Sequence, residues 1–281
     1  MQSGSAAKNG AAFTAADVAR SPLRWAGSKR KLIPTLMELA PTRYERYVEP
    51  FCGSLCLFVA LKPRRALVGD INEELIHFYR SVKRDAQQVA SIAHGIDKHE
   101  NTYYELRAVS PRDMSHEQRA ARFLYLNRYC FNGVYRTNLL GQFNVARGKH
   151  MGEIPPVDEL VAFGTLMRRV TVRNCDFEEL LSECRGGDFC YLDPPYAGRD
   201  VRDRGEYGLG AFKEADLERM VDTVSRAARR GAKILISYAD LPSIRRAFRG
   251  WHVERIEVGR NVSGFCRGRG KVRELVIRNY P

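Results

Sequence analysis

The stretch Asp193-Pro194-Pro195-Tyr196 follows an apolar run, Phe189 to Leu192, which begins after Gly186-Gly187. An apolar run between turn residues predicts a buried strand, and an acid at its carboxyl end is typical of open α/β sheets, where ligands bind at the strand ends. Two prolines fix the backbone and remove two N–H donors, so nearby carbonyls are available to a ligand. A carboxylate, a fixed carbonyl and an aromatic face together suit a flat heterocycle that carries an amino group. The alternative interpretation is a strand that ends in a Pro-Pro turn with a surface tyrosine.

The composition indicates a globular chain with an anionic partner. The 281 residues are enough for one large α/β domain, alone or with a smaller insertion, and 44% of them are hydrophobic. Lys and Arg number 46 against 33 Asp and Glu, which gives a net charge of +13 that is spread along the chain. A polyanion is the usual partner of such a protein, and nucleic acid is the commonest polyanion. A generally basic soluble surface is the alternative.

The cysteines and the chain start bear on the cellular compartment. The seven cysteines form no Cys-x-x-Cys pair, and several lie in apolar runs, which predicts buried thiols in a reducing compartment. Cys52 and Cys56 have no His or Cys partners at zinc-site spacing, so we expect no metal. No apolar stretch approaches the ~18 residues of a membrane span. Residues 1–20 have no signal-peptide core. We therefore expect a flexible leader and a cytoplasmic, DNA-associated protein with no membrane partner.

A tryptophan and a lysine flank a glycine ahead of an amphipathic run at 30–39. Ser28 is the candidate N-cap of this helix. Trp25 and Lys29 suit a stacking face and an anion partner for a ligand. A half-buried tryptophan beside a solvated lysine is the alternative.

Two strand–turn–helix patterns then predict the first part of a Rossmann-like sheet. A strand at 47–49 leads through a turn into a helix at 55–61, and Gly53 in that turn lets a ligand approach the backbone. A second strand at 65–70 ends in Asp70, 17 positions after Gly53. This is close to the ~20-residue spacing at which a carboxylate holds ribose hydroxyls. Asp70 as the N-cap of the helix at 71–83 is the alternative, and the two roles are compatible.

The alternation of strands and helices fails between residues 86 and 169. Two helical stretches, at 86–99 and 117–126, lead to residues 127–145, where Asn132-Gly133 and Gly141 lie between β-prone residues. Such turn residues predict a β-hairpin. This one is rich in aromatic, amide and arginine side chains, which stack on bases and read their edges. We interpret residues 86–169 as an inserted, mainly helical recognition domain that carries the hairpin.

The sheet pattern resumes after the insertion, so that residues 21–85 and 170–281 together form the predicted main domain. Asp176 follows the first of these strands and either caps a helix or lies beside the ligand crevice. The glycine-containing stretch 197–210 is typical of a loop that closes over a substrate. Residues 264–271 form a basic turn that either grips phosphates or is simply solvated. The predicted elements are strands at 170–174, 189–192, 232–238, 251–258 and 272–277, and a long helix at 214–230.

In this order, the motifs resemble those of the Dam-type (D12 class, alpha group) adenine-specific DNA methyltransferases. The resemblance covers residues 21 to 278 and implies S-adenosylmethionine as methyl donor without a metal, double-stranded DNA as partner, a bacterial or phage origin, and a monomer or weak dimer. Whether such an enzyme acts alone or in a restriction–modification pair is left open. The matching stretches are Leu23 to Lys29, Val48 to Ser54, Gly69 to Asn72, Phe123 to Arg128, Phe131 to Gly133, Arg136, Gly141 to Val145, Asp193 to Tyr196, Leu235 to Ser237 and Arg269 to Leu275.

The resemblance also implies site residues, position by position. Asp193, Pro194 and Tyr196 resemble the catalytic residues, which hold an adenine that is flipped out of the duplex. Those that resemble cofactor contacts are Trp25, Lys29, Phe51, Gly53, Ser54, Asp70, Asp176, Phe177 and Asp193. Those at DNA-contacting positions, the last three in the basic turn, are Arg128, Phe131, Asn132, Val134, Arg136, Asn138, Arg267, Arg269 and Lys271.

Two departures and two alternatives accompany the resemblance. Ala146 stands where the family often has proline, and the stretch 197–210 lacks the usual Asn-Phe-Thr. Arg136 suits a guanine edge, and the hairpin match suggests GATC as target. The alternatives are a catalytically silent DNA-binding protein on the same fold and an amino-methyltransferase for cytosine, RNA or a protein amide.

Overall fold

The strands form one twisted sheet. A computed structural model describes residues 20–149, 152–196, 212–259 and 271–281, with the side chains of residues 258, 259, 271 and 272 left aside. In this part of the chain the strands are β1 (Arg46–Glu49), β2 (Ala66–Asp70), β3 (Val170–Asn174), β4 (Asp188–Leu192), β5 (Lys233–Ala239), β6 (His252–Gly259) and β7 (Lys271–Arg278). Their order is β3-β2-β1-β4-β5-β7-β6. Strands β1 to β5 are parallel, and β7 runs antiparallel to β5 and β6. This topology confirms the predicted Rossmann-like α/β class.

Helices cover both faces of the sheet. One face packs on helices that precede β3 in the chain, and the other packs on helices that follow β3. The helices of the described residues are α1 (Ile33–Leu39), α2 (Cys56–Leu61), α3 (Glu73–Gly95), α4 (Glu100–Ala108), α5 (His116–Tyr129), α6 (Val157–Met167), α7 (Phe177–Ser182), α8 (Glu214–Arg229) and α9 (Pro242–Ala247).

The strand order reverses between β1 and β4. From β1 the chain moves outward through β2 to β3, then crosses back to β4 on the other side of β1. In open α/β sheets the crevice at such a reversal, beyond the carboxyl ends of the strands, is where ligands bind. Asp193 lies directly after β4, Glu49 ends β1 and Asp70 ends β2. Three carboxyl groups therefore meet at one edge of the sheet.

Side chains of β4 alternate between the two faces, as a pleated strand requires. Phe189 and Tyr191 belong to the core shared with α3, α5 and α6, whereas Cys190 and Leu192 belong to the core shared with α7 and α8. Continuing the alternation places Asp193 on the same face as Tyr191. This is the face that the N-terminal segment covers.

Two predicted helix caps are wrong. Ser28 caps no helix, because the helical run starts with a 3₁₀ turn at Arg30–Leu32, whose N-cap Lys29 makes no side-chain capping bond. Asp70 does not cap α3, because that helix starts at Glu73 and the Asn72 side chain accepts from the backbone N–H of Leu75. The Asp70 carboxylate instead accepts a hydrogen bond from Gly53, in the turn after β1.

The helices predicted at 71–83 and 86–99 merge into the single helix α3. It kinks at Asp85, whose backbone leaves the helical region with φ −150° and ψ 81°. The Asp85 carboxylate accepts from the backbone N–H of Gln88 at 2.9 Å, so it caps the second half of the helix. The predicted boundary of the recognition domain, between residues 85 and 86, falls at this kink. The division into domains stays a prediction.

Residues 127–145 do not form the regular hairpin that their turn residues predict. Helix α5 continues to Tyr129, and Asn132-Gly133 lies in a 3₁₀ turn rather than at the chain reversal. The reversal is at residues 138–142, where the backbone N–H of Gly141 donates to the Asn138 carbonyl at 2.9 Å. Antiparallel contact is limited, within the described residues, to isolated bridges at Cys130–Arg147 and Thr137–Phe143. The segment is an irregular antiparallel loop.

Candidate active site

A cleft opens where the carboxyl ends of β1, β2 and β4 meet. It contains about 1210 Å³ of free space, its solvent-filled mouth included. Every residue that the sequence predicts for catalysis or for the cofactor lines this cleft.

Asp193 is held by two donors on the same oxygen. The Lys29 ammonium lies 2.6 Å from Oδ1, and the Ser237 hydroxyl donates to Oδ1 at 3.1 Å. Burial raises the pKa of Asp193, while Lys29 and Ser237 oppose that rise. Burial alone would lower the pKa of Lys29, but Asp193, Tyr196 and Glu274 outweigh it, so the pKa of Lys29 lies above its usual range. The contact with Lys29 thus favours the charged form of Asp193 in a largely buried position.

Tyr196 forms a fixed aromatic wall next to Asp193. Its hydroxyl donates to Glu274 Oε1 at 3.2 Å, and its ring meets Tyr238 edge-on with centroids 5.1 Å apart. The Lys29 ammonium lies 5.2 Å from the ring centroid, within cation–π range. Burial raises the pKa of Tyr196 to about 12, so the phenol stays neutral. The ring is held from several sides before any ligand arrives.

The turn after β1 passes close against the Trp25 indole. Gly53 has a φ of +41°, and a Cβ built on it would lie 3.0 Å from Trp25 Cδ1. Its N–H donates to Asp70 Oδ2 at 3.3 Å, and its carbonyl accepts from the Tyr79 hydroxyl. Both the backbone conformation and the lack of space require glycine here. The exposed backbone of this turn is the type of surface on which a ligand rests in such folds.

Asp70 lies in the cleft with its oxygens facing backbone donors. Oδ1 accepts from the N–H of Asn72 at 3.0 Å, and Oδ2 accepts from the N–H of Gly53 at 3.3 Å. Burial raises the pKa of Asp70 to about 6, although the backbone N–H groups of Asn72, Gly53 and Ile71 oppose the rise. A further hydrogen-bond donor on a ligand would stabilise the charged form of this buried carboxylate.

An aromatic cluster lines part of the cleft. Phe51 stacks on Phe177 with centroids 5.1 Å apart, and Phe212 meets Phe51 edge-on at 5.9 Å. The Arg219 guanidinium lies 4.4 Å from the Phe177 centroid. A flat heterocycle has apolar surface to lie against here.

Asp176 fills both of the roles that the sequence leaves open. Its carboxylate caps α7 by accepting from the backbone N–H of the second helical residue at 2.9 Å, and it also lines the cleft. Arg219 binds both of its oxygens, at 2.7 and 3.0 Å. No sequence pattern indicated Arg219, because it lies on α8, 43 positions after Asp176.

Sequence reasoning also missed Glu49 at the base of the cleft. This carboxyl group is buried at the end of β1 and accepts from the Tyr47 hydroxyl at 2.8 Å. Burial raises the pKa of Glu49 well above its ordinary value, with Asp193 and Asp70 adding to the rise. The available signal was the one used for Asp193, an acid between a buried strand and a proline.

Residues 127–145 present polar side chains on a locked backbone. Arg136 Nε donates to Asn144 Oδ1 at 2.9 Å, and the Asn144 backbone N–H donates back to the Arg136 carbonyl at 3.0 Å. At the tip, Asn138 Oδ1 accepts from the N–H groups of Leu140 and Gln142, both at 3.0 Å. This loop is thus ordered by its own side chains, with the Arg136 guanidinium oriented by a partner.

The outer surface of the same loop is apolar in places. Leu139 and Leu140 are 91% and 81% exposed, and Phe131 and the neighbouring Asn132 are exposed too. The Tyr135 ring stacks on Trp25 with centroids 6.1 Å apart and planes at 19°. Through this contact the loop is packed directly against the wall of the cleft.

The remaining predicted DNA-contacting residues are placed differently. Arg128 is half-buried, and its Nη1 donates to the Pro22 carbonyl at 3.4 Å. Val134 packs partly against the core. Arg267 and Arg269 lie outside the described residues, and of Lys271 only the backbone, at the start of β7, is described.

Comparison with known proteins decides the family. A family model of D12 class N6 adenine-specific DNA methyltransferases matches residues 25–263, a range that includes the cleft and the 127–145 loop. The chain belongs to this family. The predicted resemblance is thereby confirmed.

Named relatives of this methyltransferase agree. A type II methyltransferase of Lactococcus lactis subsp. cremoris is 31% identical over 92% of this chain and 94% of its own length. A DNA adenine methylase of Vibrio cholerae is 32% identical over 93% of this chain and 96% of its own. A DNA N-6-adenine-methyltransferase of Escherichia phage P1 is 33% identical over 95% of this chain, but over 36% of its own length.

The family settles the reaction that the sequence predicts. The methyltransferase is an enzyme that moves a methyl group from S-adenosylmethionine to adenine in DNA. Among the described residues, no three His, Cys, Asp or Glu side chains gather as a metal site requires. No helix in that part of the chain has the length and apolar character to cross a bilayer.

Proposed function

We propose that the cleft binds S-adenosylmethionine with its ribose on Asp70, its adenine against Phe51 and Phe177, and its methionine part over the turn at Gly53 and Ser54. Three observations on the site support this fit. The turn at Gly53 and Ser54 lines the cleft and packs directly on the Trp25 indole. The Asp70 carboxylate has a raised pKa and gains from hydroxyl donors. The carboxyl groups of Glu49, Asp70 and Asp193 line the cleft, and the positive charge of a sulfonium is stabilised by those that are ionised.

The chain positions the amine that receives the methyl group. When bound, S-adenosylmethionine supplies an electrophilic methyl carbon on a sulfonium. Asp193 and the Pro194 carbonyl accept hydrogen bonds from the exocyclic amine of the target adenine, which keeps the nitrogen lone pair out of conjugation with the ring. The Asp193 carboxylate also stabilises the positive charge that develops on the attacking nitrogen. Positioning and electrostatics account for the acceleration, and transfer is direct.

The target adenine has to leave the duplex to reach Asp193. An amine inside stacked, paired DNA is inaccessible to a cleft, so the base is flipped out at an unstacking cost of a few kcal/mol. Tyr196 stacks on the flipped base, because its ring is already fixed beside the carboxylate. The arrangement of Asp193 and Tyr196 at the strand-order reversal is the observation that carries this proposal.

We further propose that the 127–145 loop reads the DNA sequence GATC. The loop packs on the cleft wall through Tyr135 and Trp25, so a base flipped into the cleft comes from DNA that lies against the loop. Arg136, oriented by Asn144, has the donor geometry for a guanine edge. The net charge of +13 supplies attraction to the phosphates.

Transfer of labelled methyl groups to short duplexes tests both statements. We expect N6-methyladenine to form about 5–150-fold faster in duplexes that carry GATC, because a mismatched base pair costs about 1–3 kcal/mol of recognition. The duplexes carry GATC or one of its single-pair variants, and the modified nucleoside is identified after digestion.

The variant Arg136→Ala is the control for the reading loop. It should lower the preference for GATC over duplexes changed at the guanine by about tenfold or more. Label in adenine at a different site would contradict GATC and leave the enzyme assignment intact. Label in cytosine would contradict the proposed role of the cleft.

The raised pKa of Asp70 gives a second prediction, for Asp70→Asn. The folded-state pKa of about 6 exceeds the ordinary 3.8, so the folded protein loses stability as pH rises from about 4 to 6 and stays less stable above it. The variant removes this buried charge. We expect the stability of the variant without ligand to lose this pH dependence, and S-adenosylmethionine to bind about 10–100-fold more weakly. Thermal unfolding between pH 5 and 8, with and without the cofactor, measures both effects.

Asp188→Asn is the matched control for Asp70→Asn. Asp188 lies at the opposite end of β4 and pairs with Arg46 at 2.8 Å. Its substitution should lower stability and leave cofactor affinity unchanged. Unaltered cofactor affinity in Asp70→Asn would refute the ribose contact.

A further inference from the structure

We propose that Ser237 and Tyr191 are positioning residues, a buried hydroxyl relay that orients the Asp193 carboxylate so that Oδ2 faces the target amine. The inference rests on the proposed role of Asp193 and names the residues that give this carboxylate its orientation. Neither Ser237 nor Tyr191 is among the cofactor-binding or DNA-contacting residues predicted from the sequence.

The sheet register brings the three side chains together. In the β4–β5 pair Tyr191 lies opposite Leu235, and Leu192 lies opposite Ile236. One step further along both strands, Asp193 lies beside Ser237. Neighbours in a parallel pair point to the same face, so both side chains share the face of Tyr191.

Both hydroxyls are buried, and the hydrogen bond between them can run in one direction only. Ser237 is 0% exposed and Tyr191 is 2% exposed, so leaving either hydroxyl unbonded would be costly. Their oxygens are 2.9 Å apart, and Ser237 donates to Asp193 Oδ1 at 3.1 Å. A serine hydroxyl has one proton. Since that proton goes to Asp193, Tyr191 must be the donor to Ser237.

The relay fixes which carboxylate oxygen is available. Ser237 and Lys29 both donate to Oδ1. Among the described residues, no side chain or backbone group donates to Oδ2. Rotation of a carboxylate about its terminal torsion is otherwise soft. With Oδ1 occupied inside the protein, Oδ2 is presented to the cleft. The Ser237 hydrogen bond also favours the charged form of Asp193.

Ser237→Ala tests the relay by its effect on turnover. We expect kcat to fall about 10–100-fold, as for loss of a hydrogen bond to a charged group, with KM for DNA and cofactor within about twofold. The acid limb of the pH–rate profile should move to higher pH. The reason is that Asp193 must be ionised to act, and loss of the donor raises the pKa of its carboxyl group. Tyr191→Phe, which keeps the ring, should move the profile in the same direction by less.

Three further variants separate positioning from folding. Ser237→Thr keeps the hydroxyl on a strand that accepts β-branched residues, and it should restore the wild-type pH profile. Tyr191→Phe/Ser237→Ala removes the hydroxyl stranded by the single change, so it should regain stability while its pH profile stays displaced. Tyr280→Phe loses a hydroxyl bond to the Leu39 carbonyl, 2.9 Å long and outside the cleft, and should leave the profile unchanged.

The outcomes distinguish this inference from the proposed function. Wild-type kcat and pH profile in Ser237→Ala, with Asp193→Ala inactive, would overturn the relay and leave the role of Asp193 standing. The relay is also overturned if Ser237→Ala loses activity through KM alone, or if Tyr191→Phe leaves the pH profile in place. Full turnover in Asp193→Ala would instead remove the proposed function itself.

Discussion

Asp193→Ala is expected to reduce methyl transfer by about 1,000-fold or more while duplex DNA still binds within a few-fold. The carboxylate is the group that both orients the target amine and stabilises its developing charge. Binding of DNA relies on other surfaces, since Asp193 lies inside the cleft. Single-turnover transfer of a labelled methyl group measures the first quantity, and a duplex-binding titration at fixed salt measures the second.

The substitution must be separated from an effect on folding. Lys29 is 9% exposed, and alanine at 193 removes the carboxylate that lies 2.6 Å from its ammonium. Asp193→Asn, which nearly preserves the side-chain volume, is therefore measured beside the alanine variant, and the unfolding of both is followed. Both should be inactive even at temperatures where they are folded. Undiminished turnover in either folded variant would mean that another group orients the amine.

The strands of the methyltransferase could be predicted from sequence because each is a short apolar run that turn residues interrupt. The run at 189–192 lies inside β4 (Asp188–Leu192), and the run at 170–174 coincides with β3 (Val170–Asn174). Their parallel order followed from the strand–helix rhythm, since parallel neighbours need a crossover. The order of the strands, with its reversal at β1, was not predicted from the sequence.

The helices of the middle region were harder to predict, because packing rather than local sequence specifies them. Helix α6 contains Gly164, whose missing Cβ lets α3 approach: a Cβ there would lie 2.7 Å from that of Ala86 and 2.9 Å from the Val82 carbonyl. Short helices owe their stability mainly to such contacts. Nothing in the sequence near Gly164 signals that a second helix lies against it.

The 127–145 loop shows the same limit on a smaller scale. Asn-Gly is a strong local signal for a two-residue hairpin turn. Here Gly133 instead lies against Arg24, where a Cβ would come within 2.5 Å of the Arg24 Cβ. Asn132 and Gly133 are thus held in a tertiary contact. The chain reverses instead at Asn138, whose side chain accepts hydrogen bonds from the backbone of the turn. The reversal predicted at Asn132-Gly133 is wrong, whereas Gly141, the other predicted turn residue, lies within the observed reversal.

In the cleft, family motifs predicted which residues would meet but not which would be partners. Lys29 was assigned to the cofactor by resemblance, whereas its ammonium lies on Asp193 and over the Tyr196 ring. Ser237 appeared only as part of a matching stretch. A sequence motif indicates the role of one position at a time. The contact between two distant positions depends on the register of the strands, which the motif does not specify.

The contact made by Lys29 leads to the second large effect, in Lys29→Met. Methionine has a similar length without the charge, so the substitution leaves the Asp193 carboxylate buried without its cation. Removing one partner of a buried ion pair costs about 3–5 kcal/mol. We expect a loss of this order in the free energy of unfolding at pH 8, measured by denaturant titration. The loss should be smaller at low pH, where protonation of Asp193 relieves the unpaired charge.

A double-mutant cycle decides whether the loss belongs to the pair. If it does, Lys29→Met/Asp193→Asn should recover most of the stability lost in the single variant, because no buried charge remains. A cofactor contact by Lys29 makes a different prediction: KM for S-adenosylmethionine would rise while the acid limb of the pH–rate profile stays in place. The pairing seen in the cleft predicts that this limb moves to higher pH, because Lys29 holds down the pKa of Asp193. If the losses of stability in the cycle are additive and the acid limb does not move, Lys29 contacts the cofactor instead. Ser237 would then be the residue that orients Asp193.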